Sequence, residues 1–317
     1  MAGIERPAKA LTIGVHVLDT LVRPVETIPA GQGGALVEQI TVSPAGTAGA
    51  TGLVLSKLGA QVRTCGVAGD DPVGALLKNL LERDGVDTSL LHVIPGEHTS
   101  ASVLPIRPDG SRPALHAIGA NQYLSQYLPW DELAEVDIVH LGGPEFYGGR
   151  VCEAFLRRAR DGGAITAVDS LAPGNAAALN YFEAALPEID YLLPNDEQVL
   201  GWTGASTLPE GCLQLIERGA RCVVATAGAA PTVVATADSV IEVPSYPIDV
   251  VDTSGCGDAF SAGFLRGITL DRSLEEAARL GNATAAQVAQ GLGSDFGLYD
   301  LDSVQEFITT QESAIGP

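Results

Sequence analysis

Short apolar runs alternate with helix-patterned segments along most of the chain. Ala10–Leu18 is a nearly continuous apolar run and reads as a strand. Between Thr47 and Leu58, apolar residues recur at Ala50, Val54, Leu55 and Leu58, and Gly59 follows, as in a helix with a C-terminal stop. Pro72 opens a second helical pattern carried by Val73, Leu76, Leu77, Leu80 and Leu81, which Gly85 ends. Further on, the pattern predicts strands at Val136–Leu141, Ala164–Asp169, Ile189–Leu193 and Arg221–Thr226, and helices at Arg150–Arg160 and Leu208–Arg218. Strands alternating with helices imply βαβ units, hence an α/β fold whose mostly parallel sheet carries helices on both faces.

Two regions depart from this pattern. Residues 21–43 and 99–118 alternate apolar and polar positions and contain turn signals such as Asp109-Gly110. They read as antiparallel strands inserted into the α/β body, forming a small accessory sheet. No internal repeat or low-complexity linker divides the chain, so residues 1–317 are expected to form a single main domain with this appendage.

Composition narrows the function. Hydrophobic residues at 46% with 18% charged describe an ordinary globular chain. The formal net charge of −21 repels phosphate backbones and anionic lipid, so neither nucleic acid nor a membrane surface is an expected partner. No segment approaches the roughly 20 apolar residues of a membrane span. The N-terminal run is too short and wrongly flanked for a signal peptide. Five cysteines without Cys-x-x-Cys spacing read as buried thiols of a reducing compartment, and the expected location is cytoplasmic. His16, His140, Trp130 and Trp202 read as packing residues, whereas His98 and His116 fall in the inserted region and could reach a ligand.

The strongest chemical signal is Asp252-Thr253-Ser254-Gly255-Cys256-Gly257-Asp258. An extended run, Ile248–Val251, leads into this glycine turn, and a helix-compatible segment, Ala259–Ile268, follows. Free N–H groups and the positive dipole end at such a helix start can hold an anion, and small residues let a phosphate approach closely. An aspartate at the same place makes chemical sense as a base that takes a proton from an attacking hydroxyl. A glycine turn capped by an aspartate is also common without any function. Cys256 reads either as a small residue required between two glycines or as a thiol activated by the helix N-terminus. The chain has no Gly-x4-Gly-Lys-Ser/Thr loop, no His-Glu-x-x-His and no Gly-x-Ser-x-Gly.

The segment from Asp252 to Phe264 resembles the C-terminal signature of the PfkB, or ribokinase-like, carbohydrate and nucleoside kinases. Their usual Thr-Gly-Ala-Gly-Asp is met here by Ser254-Gly255-Cys256-Gly257-Asp258. Other stretches match in the family's order: Asp19 after Gly14, Ala45-Gly46-Thr47-Ala48-Gly49, Gly69-Asp70-Asp71-Pro72-Val73-Gly74, Asp109-Gly110-Ser111-Arg112, Gly119-Ala120-Asn121, Pro194-Asn195, Thr226-Ala227-Gly228 and Gly291-Leu292-Gly293. The resemblance spans roughly residues 10 to 300. It implies a three-layer fold with a β-strand lid and ATP-dependent phosphorylation of a small molecule, with Mg2+ and in many members K+.

Carried over residue by residue, the resemblance makes Asp258 the general base and Gly255, Cys256 and Gly257 the anion hole. Asp19, Gly46 and Thr47 would hold the acceptor. Asn195, Thr226, Gly228 and Asn282 would lie along the nucleotide, and Asp252 and Ser254 beside a monovalent cation. The inserted strands would close over the sugar and could pair two subunits. Three positions depart from the family pattern. Gln198 replaces the acid of Asn-x-x-Glu, Ala50 stands where an asparagine usually binds a sugar hydroxyl, and Pro231 replaces a glycine. Glu197 lies roughly 100° away around a helix and would need a local shift to serve instead. The implied acceptor is the hydroxymethyl group of a sugar or sugar derivative. A nucleoside is the alternative within the family, and a ligand-binding pseudokinase the alternative outside catalysis.

Overall fold

The computed structural model describes residues 7–108 and 110–315, so Asp109 of the turn signal and the first six residues lie outside the described part. The strands are β1 (Lys9–Gly14), β2 (Val17–Arg23), β3 (Gln39–Ala45), β4 (Gln61–Gly69), β5 (Asp87–Ile94), β6 (Ala101–Pro105) and β7 (Leu115–Ala117). They continue with β8 (Ile138–Gly142), β9 (Ile165–Asp169), β10 (Tyr191–Leu192), β11 (Cys222–Ala227), β12 (Ala230–Thr236) and β13 (Val240–Val243). The main sheet has nine strands in the order β13-β12-β11-β10-β9-β8-β1-β4-β5. It is parallel from β5 to β11, and β12 and β13 add antiparallel at one edge.

The helices are α1 (Gly49–Lys57), α2 (Pro72–Arg83), α3 (Gly149–Asp161), α4 (Ala176–Leu179), α5 (Asp196–Thr203), α6 (Leu208–Glu217), α7 (Cys256–Thr269), α8 (Leu274–Val288) and α9 (Leu301–Ile315). Side chains alternate across each strand, so one strand feeds two cores. Leu11, Ile13, Val139 and Leu141 pack with Phe155 of α3 and Trp202 of α5 on one face. Ala10 and Ile138 pack with Leu53 of α1, Phe260 of α7 and Leu280 of α8 on the other. The result is the expected three-layer α/β arrangement. The capping box Ser273–Glu276 marks the start of α8, a helix the apolar pattern had not singled out.

Three expectations change. The run Ala10–Leu18 is two strands in two different sheets. Gly14 has φ 133°, and a Cβ there would lie 1.7 Å from the Gly142 carbonyl oxygen of β8, so only glycine lets the chain leave β1 and turn into β2. The inserted sheet, in the order β3-β2-β6-β7, is not wholly antiparallel, because β2 and β6 run parallel. Strand β2 follows β1 and β6 follows β5. Those parents are parallel in the main sheet, and their continuations keep the same direction. Residues 24–38, inside the first expected insertion, carry no strand.

The cysteines are free, with Cys65, Cys152, Cys212 and Cys222 buried. His16 is buried, bonded to the Gly14 carbonyl (2.9 Å) and Thr64 Oγ1 (2.7 Å), and burial lowers its pKa to about 4. Trp130 packs edge-on to Phe155 and Trp202 to Phe182, as packing residues should. Among the described residues no helix is long and apolar enough to cross a membrane.

Candidate active site

The small sheet presents one polar row and one apolar face. Its registers place Ser43, Asp19, Ser102 and His116 side by side on β3, β2, β6 and β7. Asp19, Ser102 and His116 of this row line a cavity of about 380 Å³, as do Gly46 and Asn121. Ser102 and His116 Nδ1 are hydrogen-bonded at 3.0 Å. Burial raises the pKa of Asp19, and the Ser102 hydrogen bond and the Arg112 charge oppose it. Thr47 does not line this cavity. It lies behind, where Gly142 leaves room for its side chain, and its buried Oγ1 has no partner among the described residues. His98 is exposed beside Asp71 and takes no part.

Helix α7 begins at the glycine turn. Gly255 is its N-cap with φ 73°, and a Cβ at this position would lie 2.2 Å from Ser294 Oγ. Both the left-handed backbone and the space require glycine. A Cβ on Gly257 would meet nothing within 4 Å, so the start of α7 opens onto free space. Asp258 sits in the first turn. Its pKa is raised to about 7, first by burial and then by the charge of Asp19, with Arg112 opposing. Burial, followed by Asp252, pushes the Cys256 thiol up to about 12. The thiol is therefore protonated, which removes the activated-nucleophile reading and leaves the small-residue one.

Asp252 organises the turn. Its Oδ1 accepts from Ser254 N (3.0 Å) and Ser254 Oγ (2.8 Å), and its Oδ2 accepts from Gly293 N (3.2 Å). Arg112 reaches in from the β6–β7 connection, with Nε 3.6 Å from Asp252 Oδ1 and Nη2 donating to the Thr253 carbonyl at 3.5 Å. Asp252 and Ser254 thus bond to each other. Among the described residues no group of three or more His, Cys, Asp or Glu side chains could hold a metal ion.

On the other side, Asn195, beyond the end of β10, caps α5 and pairs as a bridge with Thr226 of β11. Gly228 has φ 58° in the turn before β12, and Pro231 is the second residue of that strand. Asn282 stands apart from this group. Its Oδ1 accepts from Thr232 Oγ1 (2.8 Å), and its Nδ2 donates to the Val243 and Pro244 carbonyls, which ties α8 to the antiparallel edge. Gln198 completes a capping box with Asn195, and its Nε2 donates to the Ser170 (2.7 Å) and Ala172 (3.1 Å) carbonyls. An ionised glutamate could not make those two bonds.

Sequence reasoning assigned no role to Asp169 or Glu145. Asp169 ends β9 at the carboxyl edge of the parallel sheet and accepts from Ser261 Oγ of α7 at 3.5 Å. Burial, and after it the charge of Asp258, holds its pKa well above the carboxylate range. Its signal was the strand Ala164–Asp169 ending in an acid, since ligands of such sheets gather at the carboxyl ends of strands. Glu145 follows β8 and accepts from Ser170 Oγ and the Leu171 N–H.

Comparison with known proteins fits this geometry. The family model described as pfkB family carbohydrate kinase matches residues 9–300. An uncharacterized sugar kinase of Archaeoglobus fulgidus is 29% identical over 247 residues, 77% of this chain and 97% of that protein. The adenosine kinase of Sinorhizobium meliloti superposes with a TM-score of 0.79 at 22% identity, covering 95% of this chain and 99% of that one. The Arabidopsis thaliana ribokinase complexed with ribose and ATP gives 0.77 at 20% identity, covering 95% and 98%. A nearly full-length family match, on a fold shared end to end with such kinases, makes the chain a member of the PfkB carbohydrate kinase family, a sugar or nucleoside phosphotransferase.

Proposed function

We propose that the protein transfers the γ-phosphoryl group of ATP to the hydroxymethyl group of a sugar or sugar derivative, with Asp258 as general base. One observation carries this reading. A carboxylate whose pKa is raised to about 7 sits in the first turn of α7, near enough to Asp19, which lines the cavity, for the Asp19 charge to act on it. A base works best with a pKa near the operating pH. Asp19 and Gly46 would hold the acceptor, with Thr47 supporting Gly46 from behind. Asp258 would take the hydroxyl proton as the oxygen attacks phosphorus. The N–H groups at Gly255, Cys256 and Gly257 would stabilise charge on the transferring group.

The space in front of Gly257 and the free start of α7 fit a phosphate. Asn195, Thr226 and Gly228 would run along the nucleotide, with Asn282 supporting that edge from behind. Mg2+ needs only one or two carboxylates besides phosphate oxygens and water, so it would enter on the nucleotide's phosphates and neutralise their charge. A monovalent cation such as K+ would be drawn to the Asp252–Ser254 turn, against the opposing charge of Arg112 3.6 Å away. Intact Asp258 favours turnover over a pseudokinase, since a binding module has no need of a base there.

The lid's outer face supports a homodimer. Val42, Thr20, Val103 and Leu115 form one cross-strand row, with Ile40 and Val22 in the next, and Ile40 and Leu115 are 65% and 63% exposed. A second copy of the chain would cover this apolar face. The mechanism is tested with Asp258→Asn, which should abolish phosphorylation while acceptor binding, measured by calorimetry, persists. Unchanged turnover would sink it.

A further inference from the structure

The cavity beside Asp19 is polar at one end only. Val15 and Val17, Ile118 after β7, Phe146 after β8 and Leu171 after β9 form the rest of its wall. Ile118 and Leu171 remain 48% and 51% exposed, although both are large aliphatic side chains beside a cleft. Exposed apolar side chains that converge on a cavity with polar groups at one end mark a ligand surface. This wall is also held rigidly. The half-buried Glu145, neighbour of Phe146, accepts from the Leu171 N–H at 2.8 Å and from Ser170 Oγ at 3.0 Å. The segments carrying Phe146 and Leu171 are thereby clamped together.

The polar end offers few free groups. Ser102 is engaged by both His116 Nδ1 and Asp19, which leaves the remaining lone pairs of the Asp19 carboxylate, the other ring nitrogen of His116 and Asn121. Asn121 is 1% exposed. Its Nδ2 donates to the His16 carbonyl at 2.9 Å, which fixes the amide, and its Oδ1 has no partner among the described residues. The Asp19 carboxylate and Asn121 Oδ1 are acceptors, suited to a hydroxyl or N–H of the ligand. A free sugar carries hydroxyls on every side and would strip water from several of them against Val17, Phe146 and Leu171 without replacing their hydrogen bonds. Ala50, in place of the expected asparagine, adds no polar group.

We infer that the acceptor is a nucleoside: a pentose bound at the Asp19–Asn121 end whose planar ring lies between Phe146, Leu171 and Ile118. This assignment rests on the phosphotransfer reading above and names the class of molecule that site accepts. A nucleoside buries its flat ring against the apolar wall and presents polar groups to only one end of the cavity.

The test measures ADP release by the full-length protein with Mg2+ and ATP, comparing inosine and uridine with D-ribose and D-fructose. At least one nucleoside should exceed both sugars at least a hundredfold in kcat/KM. Leu171→Ser, at an exposed position, should cut the nucleoside-to-ribose ratio of kcat/KM roughly tenfold by raising the nucleoside's KM, the loss expected for part of one aliphatic contact. Phosphorylation of the sugars alone, or equal losses for both classes in Leu171→Ser, would overturn the nucleoside assignment and leave the kinase reading standing. If nothing is phosphorylated, calorimetry with inosine and uridine separates the two claims. Binding weakened by Leu171→Ser keeps the nucleoside assignment and defeats the phosphotransfer reading, whereas no binding defeats both.

Discussion

Lowering pH should switch the enzyme off through Asp258. Its pKa of about 7 lies about 3 units above the ordinary carboxylate value, equivalent to at most about 4 kcal/mol disfavouring the charged form. Burial is the main cause, and the Asp19 charge adds to it. With Asp258 as the proposed base, the reaction needs its carboxylate, so kcat/KM should fall below pH 7, with about a tenth of the plateau left at pH 6. The stability effect has the opposite sign. A folded pKa above the unfolded one gives stabilisation that is complete below about pH 4 and lost as pH rises through 7. Asp258→Asn should therefore lower kcat by 10² to 10⁴-fold, on the order expected for a lost general base. It should also raise the melting temperature at pH 8 while changing it little at pH 4. The assays are coupled ADP release from pH 5 to 9 and thermal melts at both pH values. A flat rate profile down to pH 5, or an asparagine variant less stable than the parent at pH 8, would refute the reasoning.

Three further outcomes follow from the structure. Gln198→Glu, although it restores the family's usual acid, loses both donor bonds to the Ser170 and Ala172 carbonyls and should cost about 2–4 kcal/mol in urea unfolding at pH 8; an unchanged midpoint would count against the assigned role. His140 is buried with neither ring nitrogen bonded among the described residues, and burial lowers its pKa to about 3. A depressed histidine pKa removes stability as pH falls below 6.5, about 2 kcal/mol by pH 5, so His140→Leu should flatten that slope against the parent in denaturant melts at pH 5 and 7.5. Val103→Lys on the lid's outer face should shift the mass measured by light scattering from that of two chains to that of one, and a parent already monomeric would exclude the lid dimer.

Much of the fold was legible because its period was. Apolar recurrence located α1, α2, α3, α6 and most of the parallel strands to within a few residues, since burying one face imposes that spacing whatever the partner. The glycine turn before α7 was equally local: a left-handed Gly255, an open Gly257 and a first-turn Asp258 all belong to one short segment. Periodicity could not reveal that Ala10–Leu18 feeds two sheets, because the break at Gly14 depends on the Gly142 carbonyl of a strand far along the chain. Nor could it place Asn282, whose amide is used by β12 and the end of β13, or show that Gln198 holds the segment after β9. The character of the cavity beside Asp19 was likewise a tertiary matter. Phe146, Leu171 and Ile118 are unremarkable as sequence neighbours, and only the packing of the two sheets brings them opposite Asp19. The sequence alone determined the family and the chemistry of its local turn. The tertiary structure decided which distant side chains surround that turn, because burial and mutual distance set both the raised pKa of Asp258 and the make-up of the cavity beside Asp19.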